Sequence, residues 1–252
     1  MSLGTCGFDP HLRHRRKARN HAGSAPTDLL GCVGRAVWGQ LGGQQEGKGD
    51  VREIGPAGED EMVLAFVRAE FHSREFGELT RAGLNNDLSC IDDRARTDDA
   101  GQNCTRKRAL ADVRGYPDTA LFNGFPGGIE WTRIALSLEE VGELRCLGYQ
   151  SWVALTRSGS RPVRDAATNL DTVGNGESDE IRRIRNDVLA IEQELAKGTT
   201  HPELIVVAES PGAARVLVEG HKRATAYVRR RSPDEVEVLA GYSPRIAEWV
   251  FY

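Results

Sequence analysis

The sequence predicts an α/β fold of the α+β type: a small mixed sheet with flanking helices over residues 62–252, preceded by a poorly ordered N-terminal extension. In the C-terminal third, short apolar runs alternate with amphipathic helical patterns, as expected of a sheet covered by helices. At the other end, twelve of the 28 glycines fall within residues 1–60. Glycine adds no side chain to a core and loses the most backbone entropy on folding, so we expect residues 1–61 to be mostly disordered.

Composition and charge exclude several classes of protein. There are 33 Lys and Arg residues against 37 Asp and Glu, a net charge of −4, whereas a dedicated nucleic-acid-binding domain is usually clearly basic. No apolar run approaches the roughly 20 residues of a membrane-spanning helix, so no membrane contact is expected. The five cysteines contain no CxxC pair, which argues against a zinc site made of cysteines. Without a secretory signal, a cytoplasmic location is the expectation.

The extension has one local feature. Five of the seven residues from Arg13 to Arg19 are Lys or Arg. This cluster is a candidate contact for nucleic acid, and a solvated tail explains it as well. The composition changes at Met62. A further alternative is therefore that Met62 is the biologically used start, with residues 1–61 as an upstream extension.

The first half of the domain gives mixed signals. Met62–Val67 is an apolar run compatible with a strand or a short buried helix. Residues 85–115 mix charges without a period, which predicts a loop or insertion. Ile129–Leu136 alternates as a strand, and Ser137 and Glu140 have the spacing of a capping box at the start of a helix.

The C-terminal third has the clearest pattern. Apolar residues at three- and four-residue spacings predict a helix over residues 181–195. After it we expect three strands, Pro202–Ala208, Arg215–Val218 and Val236–Ala240. A helix, Ala224–Arg230, is expected between the second and the third strand. Ser243 as N-cap and Pro244 at the first helical position predict a final helix.

One polar sequence lies where a strand passes into a helix: Glu219, Gly220, His221, Lys222 and Arg223. Gly220 allows a sharp bend, and the helix that follows offers free amide N–H groups and the positive end of its dipole to an anion. Lys222 and Arg223 add positive charge, and Glu219 is a candidate to deprotonate a hydroxyl or hold Mg²⁺. A plain strand–helix turn with surface charges also explains this spacing, and the spacing alone favours it.

Together with their context, these residues resemble the ParB/sulfiredoxin-like superfamily. In that superfamily a P-x-x-V strand precedes a hairpin strand that ends in a Gly-x-x-Arg phosphate-binding motif at a helix start. The corresponding segments here are Pro202–Val207 and Arg215–Arg223, followed by the Ala-rich helix. The resemblance covers roughly residues 178–240, and the ParB/sulfiredoxin-like part is placed at about 129–252.

Within the superfamily the free-serine kinases look closest. They carry Asp-Gly-His-x-Arg, which Glu219–Arg223 matches with a Glu-for-Asp exchange. Sulfiredoxins need a Cys where this chain has His221, so sulfinic-acid reduction is not expected. ParB proteins have Gly-Glu-Arg-Arg and a long DNA-binding region, for which too few residues follow Arg223.

The resemblance implies that the chain binds ATP or another nucleoside phosphate with Mg²⁺. It assigns the phosphates to the Gly220–Arg223 turn, including Lys222 and above all Arg223. It also implies phosphate contact or proton shuttling for His221. Glu219 would orient the acceptor or hold the metal.

A second carboxylate, which the kinases carry near their N-terminal strand, has only Glu139 and Glu140 as candidates in the sequence. The function expected from all this is a kinase that phosphorylates a small hydroxyl-bearing metabolite. The alternative is a non-catalytic nucleotide-sensing or DNA-associated ParB-like regulator.

Overall fold

The computed structural model describes residues 52–174 and 177–252, and in these residues five strands form one mixed sheet. The strands are β1 (Arg52–Pro56), β2 (Glu130–Ser137), β3 (Leu204–Ala208), β4 (Val216–Glu219) and β5 (Glu235–Tyr242). Their order in the sheet is β1-β2-β5-β3-β4. β3 and β5 run parallel, and the other neighbouring pairs run antiparallel. The predicted mixed α/β class is confirmed.

Eight α-helices lie in the described ranges. They are α1 (Glu59–Phe71), α2 (Gly77–Gly83), α3 (Ala100–Arg114), α4 (Leu138–Glu143), α5 (Gln150–Thr156), α6 (Val163–Asn169), α7 (Asp179–Ala196) and α8 (His221–Arg230). None of these helices combines the length and the apolar character that crossing a membrane requires.

The sheet separates two apolar clusters. Strand side chains alternate between the two faces, so that Ile205 and Val207 of β3 join the cluster of α1 and α3. Leu204 and Val206 join the cluster formed with α4 to α8. Every residue of β3 is fully buried, and β3 therefore lies at the centre of a three-layer arrangement.

Regular structure begins before residue 62. Arg52–Pro56 pairs with β2. Helix α1 begins at Glu59 and has three acidic residues in its first turn, where their negative charge interacts favourably with the positive end of the helix dipole. The expectation of disorder is therefore wrong for residues 52–61. A chain that began at Met62 would lack β1 and the first turn of α1. The Arg13–Arg19 cluster lies outside the described residues.

The apolar run Met62–Val67 forms the middle of α1, which confirms the helix alternative. All six of its residues are buried, so no face of this segment is polar enough to show a helical period. The expectation of a loop over residues 85–115 is wrong for Ala100–Arg114, which forms α3.

In the second half, the predicted strands and helices from residue 129 onward are present within a few residues of their expected bounds. Ser137 and Glu140 form the predicted capping box. The final helix expected from Ser243 is wrong, because only the 3-10 turn Ile246–Glu248 forms. Trp249 instead donates its indole N–H to the carbonyl of Leu121 at 2.7 Å, which attaches the end of the chain to the short segment that contains Leu121.

Candidate functional site

The motif Glu219–Arg223 lies where β4 ends and α8 begins. Gly220 precedes α8 with φ at +103°, a left-handed conformation that favours glycine. A Cβ atom at this position would lie 2.4 Å from Cδ2 of Leu204. The close packing of this turn on β3 thus requires a glycine, and it brings the start of α8 directly against the central strand.

The first turn of α8 has the geometry of an anion site. Ala224 donates the first intrahelical bond, 2.8 Å long, to the carbonyl of Gly220. The amides of residues 221–223 precede it, and such N–H groups have no acceptor within their own helix. With the positive end of the helix dipole, they favour a negatively charged group at this point.

His221 is buried and held in place. Its Nε2 accepts the backbone N–H of Leu147 at 3.1 Å, and its ring lies 5.1 Å from the ring of Trp152. Burial, with smaller contributions from Arg114, Arg223 and Lys222, lowers the pKa of His221 to about 3. The imidazole is therefore neutral, with its proton on Nδ1. Its predicted phosphate contact stays a prediction, and Nε2 already has another partner.

Arg223 folds back over the motif. Its guanidinium donates to the carbonyl of Glu203 at 3.5 Å and to the carboxylate of Glu219 at 3.4 Å. Both bonds are long for an arginine donor, since charge-assisted bonds usually measure about 2.7–2.9 Å. Arg223 therefore lies beside Gly220, and neither of its two hydrogen bonds is short.

Lys222 points elsewhere. Its ammonium lies 2.7 Å from Oδ2 of Asp187 on α7, and Arg74 lies 3.6 Å from Oδ1 of the same carboxylate. The structure brings Glu219, Gly220 and Arg223 together but gives Lys222 a partner on the neighbouring helix.

A second acidic residue, Glu70 near the end of α1, belongs to this neighbourhood. It is 2% exposed and accepts a hydrogen bond from Nε of Arg114 at 2.5 Å. Burial, together with the negative charge of Glu219, raises the pKa of Glu70 to about 7. Two carboxyl groups in different environments, Glu70 and Glu219, thus act on each other through their charges. Such a pair is typical of acid–base sites.

Sequence reasoning missed both Glu70 and Arg114. Each occupies a helix that the sequence left ambiguous or assigned to a loop, and a lone charged residue on a helix normally indicates a solvated face. A signal existed only in the apolar run directly before Glu70, which predicts that the segment is buried.

Glu139 and Glu140 are not part of the site. The carboxylate of Glu140 accepts from the amide and hydroxyl of Ser137 at 2.8 and 2.9 Å, and Glu139 is exposed. Their helix packs against the later turns of α8, where Gly142 faces Val228. The structure therefore does not bring either of the two candidates for the second carboxylate to the motif.

A separate surface depression of about 540 Å³ lies on α7, lined by Asp179, Arg182, Arg183 and Asn186. It contains none of the motif residues. Its arginines already bond within the helix, Arg182 to the carboxylate and Arg183 to the carbonyl of Asp179.

No family model matches the chain, and no curated protein or solved structure is similar enough to it to indicate a relationship.

Proposed function

We propose that the protein binds a nucleoside triphosphate with Mg²⁺ at the start of α8 and transfers a phosphoryl group to the hydroxyl of a small metabolite. One observation carries this proposal. A glycine-initiated helix start, the guanidinium of Arg223 and the carboxylate of Glu219 meet at one turn. Phosphoryl transfer needs this combination of positive charge and a positioned carboxylate more than it needs covalent chemistry.

The strand connections support a ParB/sulfiredoxin-like arrangement. β3 and β4 form an antiparallel hairpin, β4 ends in the Gly-x-x-Arg sequence, and α8 then leads into β5, which lies parallel to β3. This is the order that the resemblance implied. We therefore extend the proposal to the fold family as well.

Each residue has a distinct role in the proposed site. The amides of the first turn of α8 and the guanidinium of Arg223 bind the phosphate oxygens. Glu219, partly exposed beside Arg223, either orients the acceptor hydroxyl and accepts its proton or holds the metal ion. Neutral His221 fixes the turn through the amide of Leu147, and the ring presents Nδ1–H as its remaining donor.

The residues present fit a magnesium ion bound together with phosphate. Within the described ranges, no group of three or more His, Cys, Asp or Glu side chains could hold a metal ion. Mg²⁺ does not need one, because in nucleotide sites it is held by one or two carboxylates and by phosphate oxygens. Glu219 is the carboxylate that would hold it, and the bound ion would neutralise phosphate charge.

Ligand-induced melting shifts test the binding step. With ATP, ADP or CTP and Mg²⁺ at 100 times Kd, bound ligand adds about 2.7 kcal/mol of stability. We expect a shift for the wild type and for R230A, which removes an exposed charge from the end of the same helix. R223A should lose most of the shift. Because the comparison uses the shift and not the melting temperature itself, a general loss of stability in R223A does not affect it.

Nucleotide hydrolysis or transfer in the presence of small alcohols tests the chemical step. E219Q should bind nucleotide and lose turnover. Binding without turnover in the wild type, across a panel of acceptors, would instead favour the nucleotide-sensing regulator. If no nucleotide shifts the melting of the wild type, or if R223A responds as R230A does, the proposed function is wrong.

A further inference from the structure

A tight turn from Trp249 to Tyr252 brings aromatic rings to the surface. The amide of Tyr252 donates to the carbonyl of Trp249 at 3.0 Å. Trp249 is buried, whereas Phe251 and Tyr252 are half-buried and Val250, at the tip, is 66% exposed. The ring of Phe251 lies 5.2 Å from the ring of Tyr149, so the turn packs against the residue that precedes α5.

Arg145 lies beside this turn, and backbone bonds hold it there. Its amide donates to the carbonyl of Arg215 at 2.9 Å, and its carbonyl accepts the amide of Leu217 at 2.9 Å. These bonds add residue 145 to the outer edge of β4. The guanidinium carbon of Arg145 lies 5.5 Å from the centre of the Tyr252 ring, where the ring electrons attract it. The backbone and the ring together therefore position this cation.

The guanidinium of Arg145 lacks an acceptor. Among the residues that the structure describes, it makes no hydrogen bond and no ion pair, and its Nε is buried without an acceptor. A donor left unsatisfied costs free energy, and native structures contain few of them. Arg161 and Arg215, which bond to the backbone of residues 145–146, also have no carboxylate partner in the described ranges. This edge of the sheet therefore has positive charge that no ion pair compensates there.

Apolar surface adjoins the cation. Val153 lies one helical turn after Tyr149, with its amide bonded to the Tyr149 carbonyl at 2.9 Å, and it is 43% exposed. Arginine and aromatic side chains are the ones that most often dominate contacts between proteins. The Arg145–Tyr252 patch combines both types, and it consists of Arg145, Tyr149, Val153, Val250, Phe251 and Tyr252.

We propose that the Arg145–Tyr252 patch is a docking surface for an acidic segment of another protein. A carboxylate of that segment pairs with Arg145, and a neighbouring apolar side chain packs on Tyr149 and Val153. A guanidinium suits this role because two of its N–H groups can bind both oxygens of one carboxylate. The inference does not depend on the proposed function, because the patch contains no residue of the motif.

The observations favour an acidic peptide over a nucleic acid. Nucleic acids are bound by several cations that neutralise phosphates and by aromatic faces on which bases stack. In the patch only Arg145 is charged, and the rings already have partners. Tyr252 lies against Arg145, and Phe251 lies against two other rings. One cation beside an apolar area instead fits a carboxylate flanked by apolar side chains.

Fluorescence anisotropy on the full chain measures docking with three labelled peptides of equal length. The acidic peptide repeats Asp-Glu-Leu-Phe, the neutral peptide repeats Asn-Gln-Leu-Phe, and the polar peptide repeats Asp-Glu-Ser-Gly. We expect the acidic peptide to bind at least about tenfold more tightly than the neutral one, because only it pairs with Arg145. It should bind at least about fivefold more tightly than the polar one, which has no apolar side chain to bury.

Variants assign the binding to the patch. R145M keeps an unbranched apolar side chain but removes the charge and the donors, and it should weaken binding of the acidic peptide about tenfold. R108M makes the same change at an exposed position of α3 and should change affinity less than about twofold. Y252F keeps the ring beside Arg145 and should bind as the wild type does, whereas Y252A should bind about threefold more weakly.

A charge exchange keeps the test valid if a variant loses stability. R145E should lose the acidic peptide and gain affinity for a peptide that repeats Lys-Lys-Leu-Phe, which general unfolding would not produce. R223A, which tests the proposed function, should leave peptide binding unchanged, so the two proposals can fail separately.

Four results would overturn the inference. They are equal affinity of the wild type for the acidic and neutral peptides, equal binding by R145M and R108M, displacement of the acidic peptide by single-stranded oligothymidylate, and a wild-type dimer in sedimentation that R145E dissociates. The third would identify a nucleic acid as the occupant of the patch, and the fourth would identify a second copy of this chain.

Discussion

Glu70 is a carboxyl group removed from water and placed beside one cation and another carboxylate. Its neighbours oppose each other, because Arg114 favours the charged form while burial and Glu219 favour the neutral one. Residues in such a balance change protonation at the pH where proteins work, and this property is common at functional sites. At the scale of single residues, the Glu70–Arg114 pair is the feature that most distinguishes the site from an ordinary strand–helix turn.

The stability of the protein should depend on the protonation of Glu70. Its pKa is raised in the folded state, so the stabilisation is fully present below the unfolded value of 4.5 and is lost as pH rises through about 7. Over this window the wild type should lose about 3 kcal/mol of unfolding free energy relative to E70Q.

Urea denaturation of both proteins at a series of pH values checks the expected loss. E78Q, at an exposed position of α2 that is not among the charges acting on Glu70, should follow the wild type. Parallel curves for the wild type and E70Q would contradict the shifted pKa.

At the scale of elements, α3 shows how a buried charged side chain can prevent a helix from being predicted from the sequence. The helix buries Asn103 and Arg106 together with Ala109 and Leu110. Arg106 donates to the carbonyls of Cys90 and Arg96 at 2.9 and 2.8 Å, so it replaces an apolar side chain as the link to the preceding loop. An arginine at a core-facing position removes the apolar period on which helix prediction depends.

The ends of α3 are nevertheless encoded locally. The Asp99 carboxylate accepts from the amides of Gly101 and Gln102 at 2.8 and 3.0 Å, and Gly115 ends the helix with φ at +77°. D99A should lower the unfolding free energy by about 1 kcal/mol. D98A removes a carboxylate whose partner is the exposed Arg96 and should leave the unfolding free energy nearly unchanged. Chemical denaturation distinguishes the two, and equal effects would show that the cap does not stabilise α3.

At the scale of the whole molecule, the sheet connects residues that are distant in sequence. β4 lies at one edge and carries Glu219 and the motif, while α1 and α3, which carry Glu70 and Arg114, belong to the apolar cluster on one face of the sheet. β1, at the opposite edge, attaches residues 52–56 to β2. The candidate site is thus a product of all three layers.

The importance of β1 can be measured with two truncated chains, 52–252 and 62–252. The shorter chain loses the pairing of β1 with β2 and the capped first turn of α1, which together we expect to cost about 3 kcal/mol. For a domain of this size, the melting temperature should fall by roughly 6–12 °C. Equal melting temperatures would show that residues 52–61 are peripheral to the fold.

The sequence by itself determined the fold class, strands β2 to β5, helices α4, α7 and α8, and the position of the Gly220 turn. These depend on local patterns: alternation in strands, amphipathic spacing in α7, and a glycine between a strand and a helix. Only the tertiary structure decided that α1 and α3 are helices, that Lys222 turns to Asp187, and that Glu70 pairs with Arg114. The reason is physical. Local patterns record which side of a segment is buried, whereas a contact between distant charged groups depends on how the layers pack, and burial then sets the pKa of each group.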